Sequence, residues 1–187
     1  MRLKKVNAVL SLLTFLAMFL HMGYSTFSYL TLYYNPALTK AFSIPLMVLT
    51  CLHGVAGMCS VFLSSDGTRA GAYPKKNSRT VIQRITAALI FPLLFLHINT
   101  FGLLKTASAS GQYILFALLI AAQVLFYIVI VSHAMVSFSN ALISLGLLSS
   151  AKAQRTVDKI VYVVCTVMLV VTSFAVIKGQ ITMFIPA

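Results

Sequence analysis

The chain reads as an all-α, polytopic membrane protein, a bundle of five transmembrane helices with the N-terminus on the cytoplasmic side. Three observations predict this. First, 60% of its 187 residues are hydrophobic and the mean hydropathy is +0.97, more apolar surface than a soluble domain of this size can hide. Second, the apolar residues fall into five runs, each reaching the roughly 20 residues that cross a bilayer core. Third, the charges sit where runs end. Arg2, Lys4 and Lys5 precede the first run, Arg69, Lys75, Lys76, Arg79 and Arg84 cluster between the second and third, and Lys152, Arg155 and Lys159 lie between the fourth and fifth. Only Lys40, Lys105 and Lys178 fall on the opposite side. That imbalance follows the positive-inside rule and requires an odd number of spans.

The first helix is predicted over residues 6–33, ending at Asn35-Pro36. Its MRLKK start imitates a signal peptide, but the run continues into the aromatic segment 24–34, past an h-region of about 7–15 residues. It therefore reads as an uncleaved first span. The second helix, 42–63, is closed by Ser64-Ser65-Asp66-Gly67, and a polar loop over 64–78 carries Tyr73-Pro74-Lys75-Lys76. The third covers 80–104. A short polar link, 106–111, leads to the fourth, 112–148, which is too long for one perpendicular span of roughly 30 Å. It must tilt or project, with residues 144–149 at the interface. A basic connection, 151–158, precedes the fifth helix at 157–184. No stretch between runs is long enough for a soluble domain, so residues 1–187 form a single membrane domain.

Composition also excludes. The only acids are Asp66 and Asp158, and neither is predicted inside the hydrocarbon, which argues against a proton pump or cation transporter. Basic residues at run ends serve orientation and contact with anionic lipid rather than nucleic acid. Cys51, Cys59 and Cys165 form neither C-x-x-C nor C-x-x-C-H, so no cysteine zinc site or covalent c-type haem is indicated. They read as small packing residues.

The histidines are the chemically informative feature. His21, His53, His97 and His133 all lie inside apolar runs, each on a different helix. A single buried histidine usually reads as a satisfied core residue. Four suggest ligation, because neutral imidazole is a strong nitrogen ligand and paired histidines can hold haem b between helices. Zinc is disfavoured, since a structural site gathers four close ligands. Positions four residues after each histidine share its face and are small in three cases: Ser25, Gly57 and Ser137, with Ala141 one turn beyond, whereas Phe101 follows His97. Small residues there leave room for a macrocycle, and they also serve ordinary helix packing. At about 1.5 Å rise per residue, His21 and His97 both lie roughly 20–23 Å from the cytoplasmic ends of their helices and can face each other. His53 lies roughly 15 Å from its end. His133, on a helix ending near Ser149, is predicted about a turn further out, a poorer match.

Two segments carry a family resemblance. Gln83-Arg84-Ile85-Thr86-Ala87 followed by His97 resembles the Q-R-[IV]-[ST]-G…H segment of cytochrome b membrane anchors of succinate dehydrogenases and fumarate reductases. Phe138-Ser139-Asn140-Ala141-Leu142 and Gln154-Arg155 resemble the H-F-S-N-G-L…Q-R segment of the five-helix, two-haem branch. His21 and His53 fall where that branch keeps histidines. Ala87 and Ala141 replace glycines, Ser137 stands where the branch has its helix-four histidine, and the branch's quinone-associated glutamates have no counterpart.

The resemblance implies two haem b groups, an outer one on His21 and His97 and an inner one on His53 and His133, with Arg84 and Arg155 pairing with haem propionates. It implies electron transfer between a quinone, expected to be menaquinone, and two soluble partners, an FAD-containing flavoprotein and an iron–sulfur subunit. These would dock at the basic segments 69–79 and 152–159, in a bacterial cytoplasmic membrane. The residues alone leave open a stand-alone b-type cytochrome, or a non-redox transporter or assembly factor.

Overall fold

The computed structural model describes residues 2–63 and 74–185, and within them five helices follow in order: α1 (Arg2–Thr31), α2 (Pro36–Leu63), α3 (Pro74–Ala109), α4 (Tyr113–Ser144) and α5 (Ala151–Phe184). Each is long and apolar enough to cross a membrane. Asp66, Arg69 and Tyr73, and most of the polar loop that carries them, lie outside the described residues.

Helix ends explain where sequence-predicted boundaries shifted. Asn35-Pro36, read as a stop for the first helix, also starts the second. Asn35 Oδ1 accepts from the backbone N–H groups of Ala37 and Leu38 at 3.0 and 3.2 Å, and proline at the first helical position lacks only an N–H that would go unused. Pro74 opens α3 in the same position, so the helix starts inside the expected loop. Ser150 caps α5 by accepting from Ala153 N–H at 3.1 Å, which makes the expected basic connection helical. At the other end of α4, Gly146 adopts φ +79°. Its N–H reaches Ile143 O, and that of Leu147 reaches Leu142 O. This paired closure stops the helix at Ser144, four residues earlier than predicted.

Short connections make neighbouring helices antiparallel. α2 packs chiefly on α1 and α3 on α4, while α1, α4 and α5 contact one another and form the middle of the bundle. The core near the N-terminal end joins Met18 and Met22 of α1, Val131 of α4, and Val161 and Cys165 of α5. A second cluster further along joins Ile90, Phe126, Tyr127, Val129 and Val176. No described residue of α2 is fully buried. One close approach binds α1 to α5: a Cβ on Gly179 would lie 2.6 Å from Tyr29 Cδ1 and 2.9 Å from the Tyr29 carbonyl oxygen.

Arg79 ties three helices together at the N-terminal end of the bundle. Its guanidinium grips Asp158 of α5 with two bonds of 2.8 and 2.9 Å. It also donates to Ser139 Oγ at 2.8 Å and to the Val136 carbonyl at 2.6 Å, both on α4. Arg79 and Asp158 side chains are 26% and 17% exposed, so removing one partner strands a half-desolvated charge. Asp158→Ala is expected to cost about 2 kcal/mol, read as an earlier midpoint in SDS-induced unfolding. Arg79, which the sequence placed in a docking segment, is thus engaged within the chain.

Candidate functional site: two histidine pairs

All four histidines face the interior between the α1–α2 and α3–α4 pairs, and they meet two by two. The ring centroids of His21 and His97 are 6.5 Å apart and those of His53 and His133 are 6.2 Å apart. His53 and His133 meet at one level because α4 ends early. With the helix stopping at Ser144, His133 lies 11 residues from its end, about 16 Å. His53 is 10 residues from Leu63, about 15 Å. The poorer level match expected from the sequence came from the misplaced end of α4.

The spacing within each pair is informative. Two imidazoles sharing an N–H···N bond of about 2.9 Å would bring their centroids to roughly 5 Å. Two imidazoles ligating one metal ion from opposite sides, at about 2 Å each, would set their centroids roughly 6 Å apart. Both observed pairs are at the longer spacing.

Nitrogen partners separate the histidines further. His133 Nδ1 lies 3.0 Å from Thr86 Oγ1 and 3.1 Å from the Gln83 carbonyl oxygen. A carbonyl can only accept, so Nδ1 carries the proton and Nε2 keeps its lone pair. This is the arrangement in which a histidine serves as a ligand, with its other nitrogen anchored to the protein. Gln83 and Thr86 belong to the Q-R-I-T segment, so one local effect of that segment is to hold a histidine on the neighbouring helix. The buried Nδ1 atoms of His21, His53 and His97 make no hydrogen bond among the described residues. Leaving a buried polar atom unpaired costs about 1–3 kcal/mol.

The surroundings of each pair differ. His97 stacks on Phe126, centroids 4.9 Å apart and planes at 29°, with the Tyr127 ring 5.9 Å away. Phe101, which the sequence flagged as crowding His97, packs instead on Phe184 at 5.1 Å. Ser137 is buried and bonds the His133 carbonyl within its own helix; His133 is the α4 residue opposite His53. Arg84 and Arg155 have exposed side chains. Among the described residues no three His, Cys, Asp or Glu side chains converge, so the donors are available as pairs rather than as a tetrahedral set.

Sequence reasoning missed a polar group close to the His97 surroundings. Gln123 donates to Tyr127 Oη at 2.6 Å, and Gln180 donates to Gln123 Oε1 at 3.0 Å and to Tyr29 Oη at 3.4 Å. Gln180 is 1% exposed and its Oε1 has no partner among the described residues. Two glutamines inside apolar runs were the available signal, since buried amides in lipid need partners on other helices. Searches of family models, curated proteins and solved structures found no match to this chain.

Proposed function

We propose that the protein is a membrane-embedded di-haem b subunit that carries electrons across the bundle between a quinone, menaquinone by resemblance, and a soluble flavoprotein and iron–sulfur pair. The observation that carries this reading is the spacing of the two histidine pairs, 6.5 and 6.2 Å between centroids, together with the unspent nitrogens of buried rings. His21 and His97 would hold the outer haem, His53 and His133 the inner. The one-electron chemistry is the iron's own. The chain supplies ligand geometry, a dry apolar surround and a fixed tautomer at His133. A flat group entering between α2 and α3 near Gly54 would displace the Phe91 ring, whose nearest atom lies 2.6 Å from a Cβ built there. Phe91 is 43% exposed, so its ring already borders the outer surface of the bundle.

In this reading the N-terminal end of the bundle faces the cytoplasm of a bacterium, because most basic residues lie there. The flavoprotein and iron–sulfur partners dock at that end, where Lys152, Arg155 and Lys159 are exposed on the first turns of α5. The test is spectroscopic. Protein purified from cells supplied with haem should show a reduced b-type absorption band and two haems per chain, and its absence would overturn the reading. Co-purification of flavin and iron–sulfur centres separates an anchor subunit from a cytochrome acting alone.

The tautomer lock gives a further expectation. Thr86→Val removes one of the two acceptors for His133 Nδ1–H, which should loosen the inner haem about tenfold and raise its midpoint potential. Thr86→Ser should restore both. The check is haem retention through detergent washing, alongside a redox titration.

A further inference from the structure

Beside the inner histidine pair, at the N-terminal end of the bundle, four helices line a half-open cavity of about 120 Å³. Its wall includes His53, with Asn7 and Ser11 from α1, Ser60 from α2 and Asn140 from α4, and Lys4 is the one charged lining residue among the described residues. Among the described residues no carboxylate lines it. Its described wall therefore offers a cation and amide or hydroxyl donors without an anion among them. Asn7 brings a buried Oδ1 without a hydrogen-bond partner among the described residues; that oxygen is an acceptor, and the group that could donate to an anion is its Nδ2 amide. Among the described residues the Asn140 amide donates one long bond, of 3.4 Å, to Val136 O. Gly57 faces Asn7: a Cβ there would be 3.8 Å from Asn7 Oδ1, so a larger side chain would fill the space in front of the amide.

Position along the bundle narrows the occupant. Ser60 follows His53 by seven residues, and Asn140 follows His133 by seven, so each lies about 10 Å nearer the N-terminal end than the ring on its own helix. A protohaem carries its two carboxylates on one edge of the macrocycle. A carboxylate left in hydrocarbon without a counter-charge is costly, and a cation with spare amide donors is what offsets that cost.

Resting on the di-haem reading above, we propose that this cavity seats the carboxylates of the haem held by His53 and His133. Lys4 is the counter-charge, and Asn7, Ser11 and Asn140 are hydrogen-bond donors. The seat assigns a job to Lys4 that the family resemblance implied for Arg84 and Arg155; neither arginine lines the cavity. It also fixes which way round the macrocycle enters, carboxylate edge toward the N-terminal end.

The test compares one macrocycle in two forms. Full-length His97→Ala protein, which keeps only the inner pair, is produced without haem and titrated in detergent with protohaem and with protohaem dimethyl ester. The ester should bind at least tenfold more weakly than the free acid. Lys4→Gln should weaken the free acid several-fold and leave the ester unchanged, and Lys4→Arg should retain wild-type binding. On wild-type protein Lys4→Gln should weaken only half of the acid-binding amplitude, which guards against damage from the His97 substitution. Equal binding of acid and ester, with Lys4→Gln silent, would overturn the seat while leaving the di-haem reading intact. No binding of either form to wild type would overturn both.

Discussion

If the protein is the di-haem subunit proposed, replacing His97 or His133 with alanine should each lower the haem content of the purified protein from two per chain to one, and replacing both should abolish it. The expectation follows from the pairing, because each residue faces a single partner histidine. Losing one of the two nitrogens would leave a bound haem on a single imidazole, and the affinity of the site would fall with it. His133→Ala carries the sharper information. Ser137 occupies the place where the resemblance expects a ligand, yet its hydroxyl is turned to its own helix backbone. Were haem content unchanged in His133→Ala, the inner site would not be on that ring. Haem stoichiometry by pyridine haemochrome against protein concentration decides it, and His21→Ala and His53→Ala should pair off with His97→Ala and His133→Ala respectively.

Gly179→Ala should be the most destabilising single methyl in the bundle. The added carbon would meet both the Tyr29 side chain and its backbone carbonyl at under 3 Å. A backbone atom cannot swing aside as a side chain can, so α1 must move off α5. Overpacking of this kind costs typically about 2 kcal/mol. Gly102→Ala is the control: a Cβ there meets nothing within 4 Å, and alanine should be neutral or slightly stabilising through its helix propensity. Unfolding in SDS gives both numbers. Tyr29 lies eight residues from His21 on α1, about 12 Å along the helix, so the displaced helix should loosen the outer haem before the inner one.

The five helices were legible because composition and loop charge are set by lipid, and lipid imposes its length scale on any sequence that crosses it. Boundaries were less legible. Asn35-Pro36 can end one helix and begin the next, and only the Asn35 side chain bonding forward to Ala37 and Leu38 shows that it does both here. The early stop of α4 at Gly146 was written in the sequence as a glycine after an apolar run, but the serines beyond it blurred the signal. That one misplaced end shifted the predicted depth of His133 by about a turn. The histidines could be found because they are ionisable groups in apolar runs. Their supports could not, because Thr86, Gln83 and Gln180 act across helices, and a contact between residues separated by dozens of positions leaves no periodicity to read. Arg79 and Asp158 show the same blindness: both were counted as surface charges, and their pairing appears only once α3 and α5 are side by side.

The two histidine pairs are stacked along the bundle rather than side by side. Thr86, which touches His133, is eleven residues from His97 on α3, and Phe126, which stacks on His97, is seven from His133 on α4. At the rise of a helix these offsets put the pairs roughly 10–16 Å apart, a third to a half of the hydrocarbon thickness. With an iron at each level, an electron moving between them crosses that share of any transmembrane voltage, worth about 1 kcal/mol per 100 mV. The division of electrons between the two levels would then shift about fivefold with each 100 mV, so an energised membrane would set the resting oxidation state of this bundle even with every residue unchanged.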